Sequence, residues 1–313
     1  MSDNAGKLDP QVKAVIDATP DGPSWEEMPL DEARAAYLKG LPAIVGGAVP
    51  VHSDEDLVMA LDGRALKARL FRPSGDADLP IIVYFHGGGF VLGGEGSHDN
   101  LCRRICTLSG AMVLAVDYRL APEYPFPAAV NDALESIEWL QGQVDTLGCD
   151  MNRLALCGDS AGANLATVTA VRMRDAGIAP AKAQALMYPV TDTVMDTPSY
   201  QKFAQGYRLT RAHMKAFLNL YLTQDGDYDN PLAAPLRTKD LTNLPPAMVI
   251  TAGFDPLRDE GRAYAKRLHD EGNEVDAREF PGMVHSFCNM CGVLDVGCEA
   301  VEQVSLWLCE KLV

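Results

Sequence analysis

Short runs of apolar residues recur along the chain, and each run ends at a turn. They are Ile81–Phe85, Met112–Val116, Leu154–Cys157 and Met248–Thr251. A run that is apolar at every position predicts a strand buried on both faces, as in a parallel sheet. Stretches with helical spacing separate these runs, at 98–108, 128–143, 162–175, 260–271 and 296–312. The alternation predicts an α/β fold in which helices flank a mostly parallel central sheet.

Two parts of the chain do not follow this alternation. Residues 1–50, called the arm below, carry apolar residues at helical spacing. Residues 193–229, called the insertion below, contain scattered aromatic residues and are interpreted as helical. We therefore expect the main α/β domain to consist of 51–192 and 230–313. The arm and the insertion are expected to form a cap over the ligand-binding end of the sheet.

The overall charge limits the classes of partner. The 313 residues carry a formal net charge of -16. A strongly acidic surface repels nucleic-acid phosphates and anionic lipids, so neither nucleic acid nor a membrane is expected as a partner. The first residues lack the apolar core of a signal peptide, and no window approaches the roughly 18 apolar residues of a membrane span. We expect a cytoplasmic protein.

The eight cysteines do not form a pattern typical of metal binding. Cys288 and Cys291 are a C-x-x-C pair. A structural zinc site needs a second pair at similar spacing, and Cys102 and Cys106 are one residue too far apart. We therefore expect free, largely buried thiols and no bound metal.

The strongest indication of chemistry is the segment Gly158-Asp-Ser-Ala-Gly162, which joins an apolar run to a stretch with helical spacing. Small residues on both sides of Ser160 permit the sharp turn that lifts a nucleophilic hydroxyl above a sheet. The N-terminus of the following helix favours nearby negative charge. A serine hydroxyl reacts only when a base takes its proton.

The candidate base is a histidine that follows Ser160, because the acid and the histidine come later in the chain in this type of fold. Three histidines qualify. His213 lies in the insertion, and His269 lies within a helical pattern that indicates a solvated position. His285 lies in a loop after a predicted strand over 274–280. We expect His285 to be the base.

The candidate acid should follow a strand and precede His285, so that its carboxylate can orient the imidazole. Asp255 follows the apolar run Met248–Thr251 closely. Asp259 and Glu260 are close rivals, but they lie in the first turn of the next predicted helix, where acidic residues are favoured in any case. We expect Asp255 to be the acid.

A glycine run follows another buried strand and predicts an oxyanion hole. The run Ile81–Phe85 leads into His86-Gly-Gly-Gly-Phe90. Glycines let the backbone approach a ligand closely, so that N–H groups can point at a developing oxyanion. The expected donors are Gly88 and Gly89, with Gly87 as a further candidate, and Ala161 directly after the serine. The run lacks the Lys-Ser/Thr ending of a phosphate-binding loop.

Five motifs in order resemble the bacterial hormone-sensitive-lipase-like esterases, also called family IV, and the GDSAG group among them. The motifs are His86-Gly-Gly-Gly89, Asp117-Tyr-Arg-Leu-Ala-Pro-Glu123, Gly158-Asp-Ser-Ala-Gly162, Asp255-Pro-Leu-Arg-Asp259 and Gly282-Met-Val-His285. The resemblance covers nearly the whole chain. It implies an α/β-hydrolase fold with a helical cap and the same triad and oxyanion residues. It also implies cis bonds at Ala121–Pro122 and Phe126–Pro127.

The resemblance further implies a serine carboxylesterase that acts on small-molecule esters with short to medium acyl chains, uses no cofactor and often forms a homodimer. Amide or N-acyl hydrolysis on the same triad is an alternative. So is a ligand-binding receptor, although receptors similar to these esterases lack the histidine that His285 supplies. The residues expected to line the substrate pocket, with core packing as the alternative for the aromatic ones, are Phe90, Leu92, Tyr188, Phe203, Tyr207, Leu209, Val284 and Phe287.

Two positions depart from the family pattern. Ala163 and Ser286 stand where the family often has glycine. Neither is a triad residue, and both are expected to affect the floor of the pocket. The cysteines 288, 291 and 298 are not part of the family pattern.

Overall fold

The apolar run 81–85 contributes to two separate cores, one on each side of a central sheet. In the computed structural model, which describes residues 6–18 and 24–313, Ile81, Val83 and Phe85 pack on one side. Ile82 and Tyr84 pack on the other. Successive side chains of a strand point to opposite faces. A strand covered by helices on both faces therefore has no position for a polar residue.

The described residues form an eight-stranded sheet. The strands are β1 Ser53–Leu61, β2 Arg64–Arg72, β3 Leu79–Phe85, β4 Met112–Asp117, β5 Cys149–Asp159, β6 Ala183–Met187, β7 Ala247–Phe254 and β8 Val275–Val284. Their order is β1-β2-β4-β3-β5-β6-β7-β8. Strand β2 is antiparallel to β1 and β4, and the other pairs are parallel. The predicted mostly parallel sheet is confirmed.

The helices lie between and around these strands. They are α1 Pro10–Asp17, α2 Leu30–Gly40, α3 Pro42–Val45, α4 Asp99–Ser109, α5 Ala128–Gln141, α6 Val144–Leu147, α7 Ala161–Asp175, α8 Pro198–Lys202, α9 Arg211–Tyr221, α10 Arg258–Asp270 and α11 Asp295–Lys311. The five predicted helices are α4, α5, α7, α10 and α11, and their ends differ from the predictions by at most two residues. Such differences are ordinary, because helix ends fray.

The parallel strands bring distant loops to one edge of the sheet. Strands β3, β5, β7 and β8 all run in the same direction. The loops that follow their carboxyl ends therefore meet at the same edge, where ligands bind in open α/β sheets. The glycine run follows β3, Ser160 follows β5, Asp255 follows β7 and His285 follows β8.

The arm and the insertion contact each other above this edge. Helices α8 and α9 and a 3₁₀ turn at Asp225–Asp229 make the insertion helical, as expected. The ring of Trp25 in the arm stacks on Phe217 in α9, with 4.3 Å between centroids. Residues 1–5 and 19–23 of the arm lie outside the described residues.

The two proline bonds behave as the resemblance implies. Ala121–Pro122 and Phe126–Pro127 are both cis.

The cysteines are all free thiols, as predicted. Five of them are buried, at positions 102, 106, 149, 157 and 288, and the other three are half-buried. Burial raises the pKa of the Cys106 thiol to about 12. Within residues 6–18 and 24–313, no three His, Cys, Asp or Glu side chains are arranged to hold a metal ion. No described helix combines the length and apolar character needed to cross a bilayer.

Candidate active site

Ser160 lies on a strained turn between β5 and α7. Its φ of 55° and ψ of -118° place a non-glycine residue in a sparsely populated region of backbone space. Gly162 allows this turn, because a Cβ there would lie 1.9 Å from the carbonyl oxygen of Phe85. The absence of a side chain at Gly162 therefore lets α7 begin directly against β3. The turn presents the Ser160 hydroxyl at the carboxyl edge of the sheet.

Three predicted residues form one hydrogen-bonded chain. The Nε2 atom of His285 lies 2.8 Å from Oγ of Ser160. Its Nδ1 atom lies 2.7 Å from Oδ2 of Asp255. The other carboxylate oxygen of Asp255 accepts the N–H of Leu257 at 2.9 Å. All three side chains are buried. The arrangement holds the imidazole between an acid and a hydroxyl, as general-base activation requires.

The rival histidines have other partners or environments. His269 is exposed on α10, in agreement with the sequence interpretation. His213 lies on the cap side of the cavity described below, where its Nε2 atom is 2.8 Å from Oγ of Ser24.

The rival acids also have other partners. Asp259 accepts the N–H of Ser199 at 2.9 Å and pairs with Arg258. Glu260 is buried and accepts the N–H of Thr191 at 2.7 Å. Burial raises the pKa of Glu260 well above its ordinary value, and the backbone N–H groups oppose this rise. Asp259 therefore holds the insertion against α10, and Glu260 holds the segment just before the insertion.

The glycine loop lies beside the serine. Gly88 and Gly89 line the same cavity as Ser160. A Cβ at Gly89 would lie 2.3 Å from the ring of Phe217, so only glycine fits beneath the cap at this point. Ala161 is the first residue of α7. Its N–H is one of the four at a helix start that have no intrahelical acceptor.

Asp159, the residue before the nucleophile, anchors this loop. Its Oδ1 atom accepts the hydroxyl of Tyr84 and the N–H of Gly87, both at 2.7 Å, and lies 3.4 Å from Nε2 of His98. Burial opposes its ionisation, but His98 and the two hydrogen bonds together lower the pKa of the carboxyl. The carboxylate thereby ties the glycine loop to the turn that carries Ser160.

His86 packs against the glycine loop and contacts none of the three residues of the hydrogen-bonded chain. Its Nδ1 atom lies 2.7 Å from the carbonyl oxygen of Gly87. Its ring stacks on Tyr118, with 4.3 Å between centroids. Burial, assisted by nearby His98, lowers the pKa of His86 to about 4. The ring is therefore neutral at physiological pH.

A cavity of about 210 Å³ opens in front of Ser160. The arm, the glycine loop, the insertion and the segment after His285 all contribute to its wall. The lining residues are Trp25, Tyr37, Leu41, Ile44, Gly88, Gly89, Leu92, Asp159, Ser160, Arg208, Leu209, His213, Met214, Phe217, His285, Ser286, Asn289 and Met290.

Two of the eight predicted pocket residues, Leu92 and Leu209, line this cavity, and the other six do not. Phe90 stacks on Tyr221 at 3.9 Å and belongs to the core. Tyr188 packs edge-on against the ring of His285 at 4.9 Å, outside the cavity lining.

The remaining predicted pocket residues are also packed against other side chains. Phe203 and Tyr207 form an aromatic cluster with Phe254. Val284 and Phe287 are fully buried in the core. An apolar or aromatic residue near a catalytic motif suits both a pocket and a core. The sequence does not show which face of the element it occupies.

Several wall residues were missed by the sequence analysis. Tyr37 lies in α2, and Leu41, four residues later, directly follows the helix. That spacing places two residues on one helical face and could have indicated a shared role. Arg208 lies between two residues that were predicted for the pocket. Trp25 and Phe217 carried no local signal, because their pairing depends on contact between the arm and the insertion.

The two departures from the family pattern have different consequences. Ser286 lines the cavity and has a φ of 64°, a left-handed value that glycine adopts without strain. Ala163 is buried within α7 and does not line the cavity. Of the two, Ser286 alone changes the cavity wall.

Known proteins are similar to this chain in both sequence and fold. A family model described as an alpha/beta hydrolase fold matches residues 82–289. An ethyl acetate hydrolase of Pseudomonas putida is 35% identical over 95% of this chain and 97% of its own length. The carboxylesterase NlhH of Mycobacterium tuberculosis is 36% identical over 94% of this chain and 92% of its own.

The chain belongs to the hormone-sensitive-lipase-like carboxylesterases. A solved structure of a thermostable esterase from Pseudomonas putida superimposes on this esterase with a TM-score of 0.95. That structure is 32% identical and the match covers 98% of each chain. The predicted α/β-hydrolase fold is confirmed.

Proposed function

We propose that this esterase hydrolyses short- to medium-chain acyl esters through an acyl-enzyme on Ser160. The observation that carries the proposal is the chain of contacts from Asp255 through His285 to Ser160, beside the glycine loop and in one cavity. An ethyl acetate hydrolase is among the relatives, which supports small esters as substrates. Bulky side chains from the arm and the insertion bound the cavity, which favours short acyl chains.

The reaction has two acyl-transfer steps. Nε2 of His285 takes the proton of Ser160 as Oγ attacks the ester carbonyl, and Asp255 stabilises the imidazolium. The carbon–oxygen bond to the alcohol then breaks, and His285 protonates the departing alkoxide. A water molecule attacks the acyl-enzyme by the same route and releases the acid and free Ser160.

The oxyanion of each tetrahedral intermediate is expected to lie against the N–H groups of Gly88, Gly89 and Ala161. These donors belong to backbone that is already held in place by Asp159 and by the start of α7. Preorganised donors need no reorganisation as charge develops, so they stabilise the transition state more than water would.

The first test is Ser160→Ala, measured on butyrate and hexanoate esters. Loss of the nucleophile is expected to lower kcat by about 10⁶-fold. Covalent labelling of the wild type by a fluorophosphonate, absent in the variant, distinguishes an enzyme from a ligand-binding relative. Substantial ester hydrolysis by the purified variant would overturn the proposal. Matched amides and a long-chain triglyceride in the same panel test the alternative substrates.

The cap is part of the same proposal. The arm and the insertion supply Trp25, Tyr37, Arg208 and Phe217 to the cavity wall, which supports treating them as one unit above a catalytic domain of 51–192 and 230–313. Limited proteolysis should cleave within the arm before the sheet domain, and cleavage should reduce activity.

We also propose a homodimer and a cytoplasmic location. A homodimer is expected because the strands β1 and β8 form the two edges of the sheet and an edge strand can pair with another chain. A cytoplasmic location is consistent with the eight free thiols. Analytical ultracentrifugation and cell fractionation test these two expectations.

A further inference from the structure

A single arginine lines the catalytic cavity. Arg208 lies in the insertion between Tyr207 and Leu209, and among the described lining residues it is the one Lys or Arg. It is half-buried. Its φ of 66° is left-handed, a conformation that costs free energy for a residue with a side chain. Such strain persists where the surroundings hold it, often at functional sites.

The guanidinium has no carboxylate partner in the described chain, although this protein is rich in carboxylates. Within residues 6–18 and 24–313 no ion pair or hydrogen bond involves the Arg208 side chain. Several arginines with little exposure are paired with carboxylates: Arg258 binds Asp259 at 2.8 Å, and Arg64 and Arg119 share Asp132 at 2.8 Å. In the described part of this chain, whose net charge is -16, Arg104 is also half-buried without a carboxylate partner, but Arg208 is the one that lines the catalytic cavity.

The titratable group that interacts with Arg208 does not neutralise its charge. Tyr37 also lines the cavity and interacts electrostatically with Arg208. Burial raises the pKa of the Tyr37 hydroxyl, so it is a neutral phenol at physiological pH. Burial lowers the pKa of Arg208, but a guanidinium stays charged in proteins. The cavity therefore contains a partly desolvated cation. An anionic ligand bound to it would offset the free energy that this desolvation costs.

We propose that Arg208 binds a carboxylate on the substrate, so that this esterase prefers esters that also carry a free carboxylate. The inference rests on the proposed ester hydrolysis at Ser160. A guanidinium presents a planar fork of donors that matches a carboxylate. A singly charged group suits the site better than a dianionic phosphate, because the carboxylate of Asp159 lines the same cavity and the whole protein is acidic.

The carboxylate could lie on the acyl side or the alcohol side of the ester, and two matched pairs of substrates separate these cases. Monoethyl glutarate against ethyl hexanoate tests the acyl side. Butyryloxyacetate against propyl butyrate tests the alcohol side. Acid release followed by pH-stat gives kcat/KM for each, and the readout is the ratio of charged to neutral ester within a pair.

Arg208→Met removes the charge and keeps an unbranched side chain. It is expected to lower the ratio in one of the two pairs by roughly 10- to 100-fold, the usual effect of losing a hydrogen bond to a charged group. Arg208→Lys keeps the charge but loses the planar fork of donors, so it should retain part of the preference. Arg211→Met is the matched control, because Arg211 is exposed three residues away and does not line the cavity. It should leave both ratios unchanged.

A change below twofold in both pairs, or an equal change in Arg211→Met, would overturn the inference. If Arg208→Met proves unfolded by circular dichroism, Arg208→Gln takes its place in the same comparison. Hydrolysis of the neutral esters by the wild type but not by Ser160→Ala would leave the proposed esterase mechanism standing even then. Absence of that hydrolysis would instead count against the proposed function.

Discussion

At the scale of single residues, the site is built from side chains whose neighbours determine their chemical state. His86 and His285 illustrate the contrast. His86 is buried beside His98 and its pKa falls to about 4, so it serves the loop as a neutral ring. His285 contacts a carboxylate on one side and a hydroxyl on the other. The same residue type is structural in one environment and suited to proton transfer in the other.

Replacing each candidate acid in turn should show whether Asp255 or Asp259 orients His285. Asp255→Asn preserves the shape of the side chain but is expected to lower kcat by about 10⁴-fold, because an amide cannot stabilise the imidazolium or hold the needed tautomer. Steady-state kinetics on a butyrate ester measures the effect.

Asp259→Asn is the control for that prediction. Asp259 contacts Ser199 and Arg258 instead of His285, so this variant should lose stability before it loses kcat. If Asp259→Asn lowered kcat as much as Asp255→Asn did, the assignment of the acid would be wrong.

Asp117 should make stability depend on pH. Burial, assisted by Glu95, raises the pKa of its carboxyl from 3.8 to about 6. The folded state then binds more protons than the unfolded state between these values, so stability is fully present below about pH 4 and is lost as pH rises towards 6. Asp117→Asn should therefore raise the free energy of unfolding at pH 7 by on the order of 2 kcal/mol, with little gain at pH 4.

Urea unfolding at both pH values measures this difference. Asp62→Asn, at an exposed turn between β1 and β2, is the control and should show no such pH-dependent gain. Equal effects of Asp117→Asn at pH 4 and pH 7 would contradict the prediction.

At the scale of elements, the cavity depends on contact between two segments that are far apart in the chain. Trp25 precedes α2, and Phe217 lies in α9. Their stacked rings close the cap side of the cavity. Neither segment forms this wall alone, which explains why neither Trp25 nor Phe217 was predicted to line the pocket.

Trp25→Ala should open this wall. Loss of the stacked ring is expected to lower kcat/KM for a butyrate ester roughly tenfold and to shift the preference towards longer acyl chains. A series of esters from acetate to decanoate measures the shift. Trp139→Ala on α5 is the control, because Trp139 packs against the core away from the cavity. It should lower the melting temperature without moving the chain-length profile, and an unchanged profile in Trp25→Ala would argue against the proposed cap.

At the scale of the whole molecule, the sheet and the net charge act on different properties. The parallel order of β3, β5, β7 and β8 collects the catalytic loops at one edge. The acidic surface acts on solubility and on the choice of partner. Although the protein as a whole is acidic, the positive charge of Arg208 in the cavity wall can attract a small anionic ligand.

The net charge predicts where the protein should be least soluble. The sequence pI is about 4.7, and mutual repulsion between molecules vanishes near the pI. Turbidity at constant protein concentration should therefore peak close to pH 4.7 and disappear above pH 6. A minimum of solubility near neutral pH would show that an exposed apolar surface, rather than charge, governs association.

The sequence by itself determined the parts of this protein that depend on local order. Buried strands require apolar runs, the sharp turn at Ser160 requires small neighbours, and chain order pointed to Asp255 and His285. Only the tertiary structure decided which side chains face the cavity. Phe90 and Phe203 pack in the core, whereas Arg208 lines the wall. The reason is physical: polarity and periodicity indicate whether a residue is apolar and buried, but apolar side chains line both a core and a pocket. The contact between the arm and the insertion that encloses the pocket joins Trp25 and Phe217, which are almost 200 positions apart.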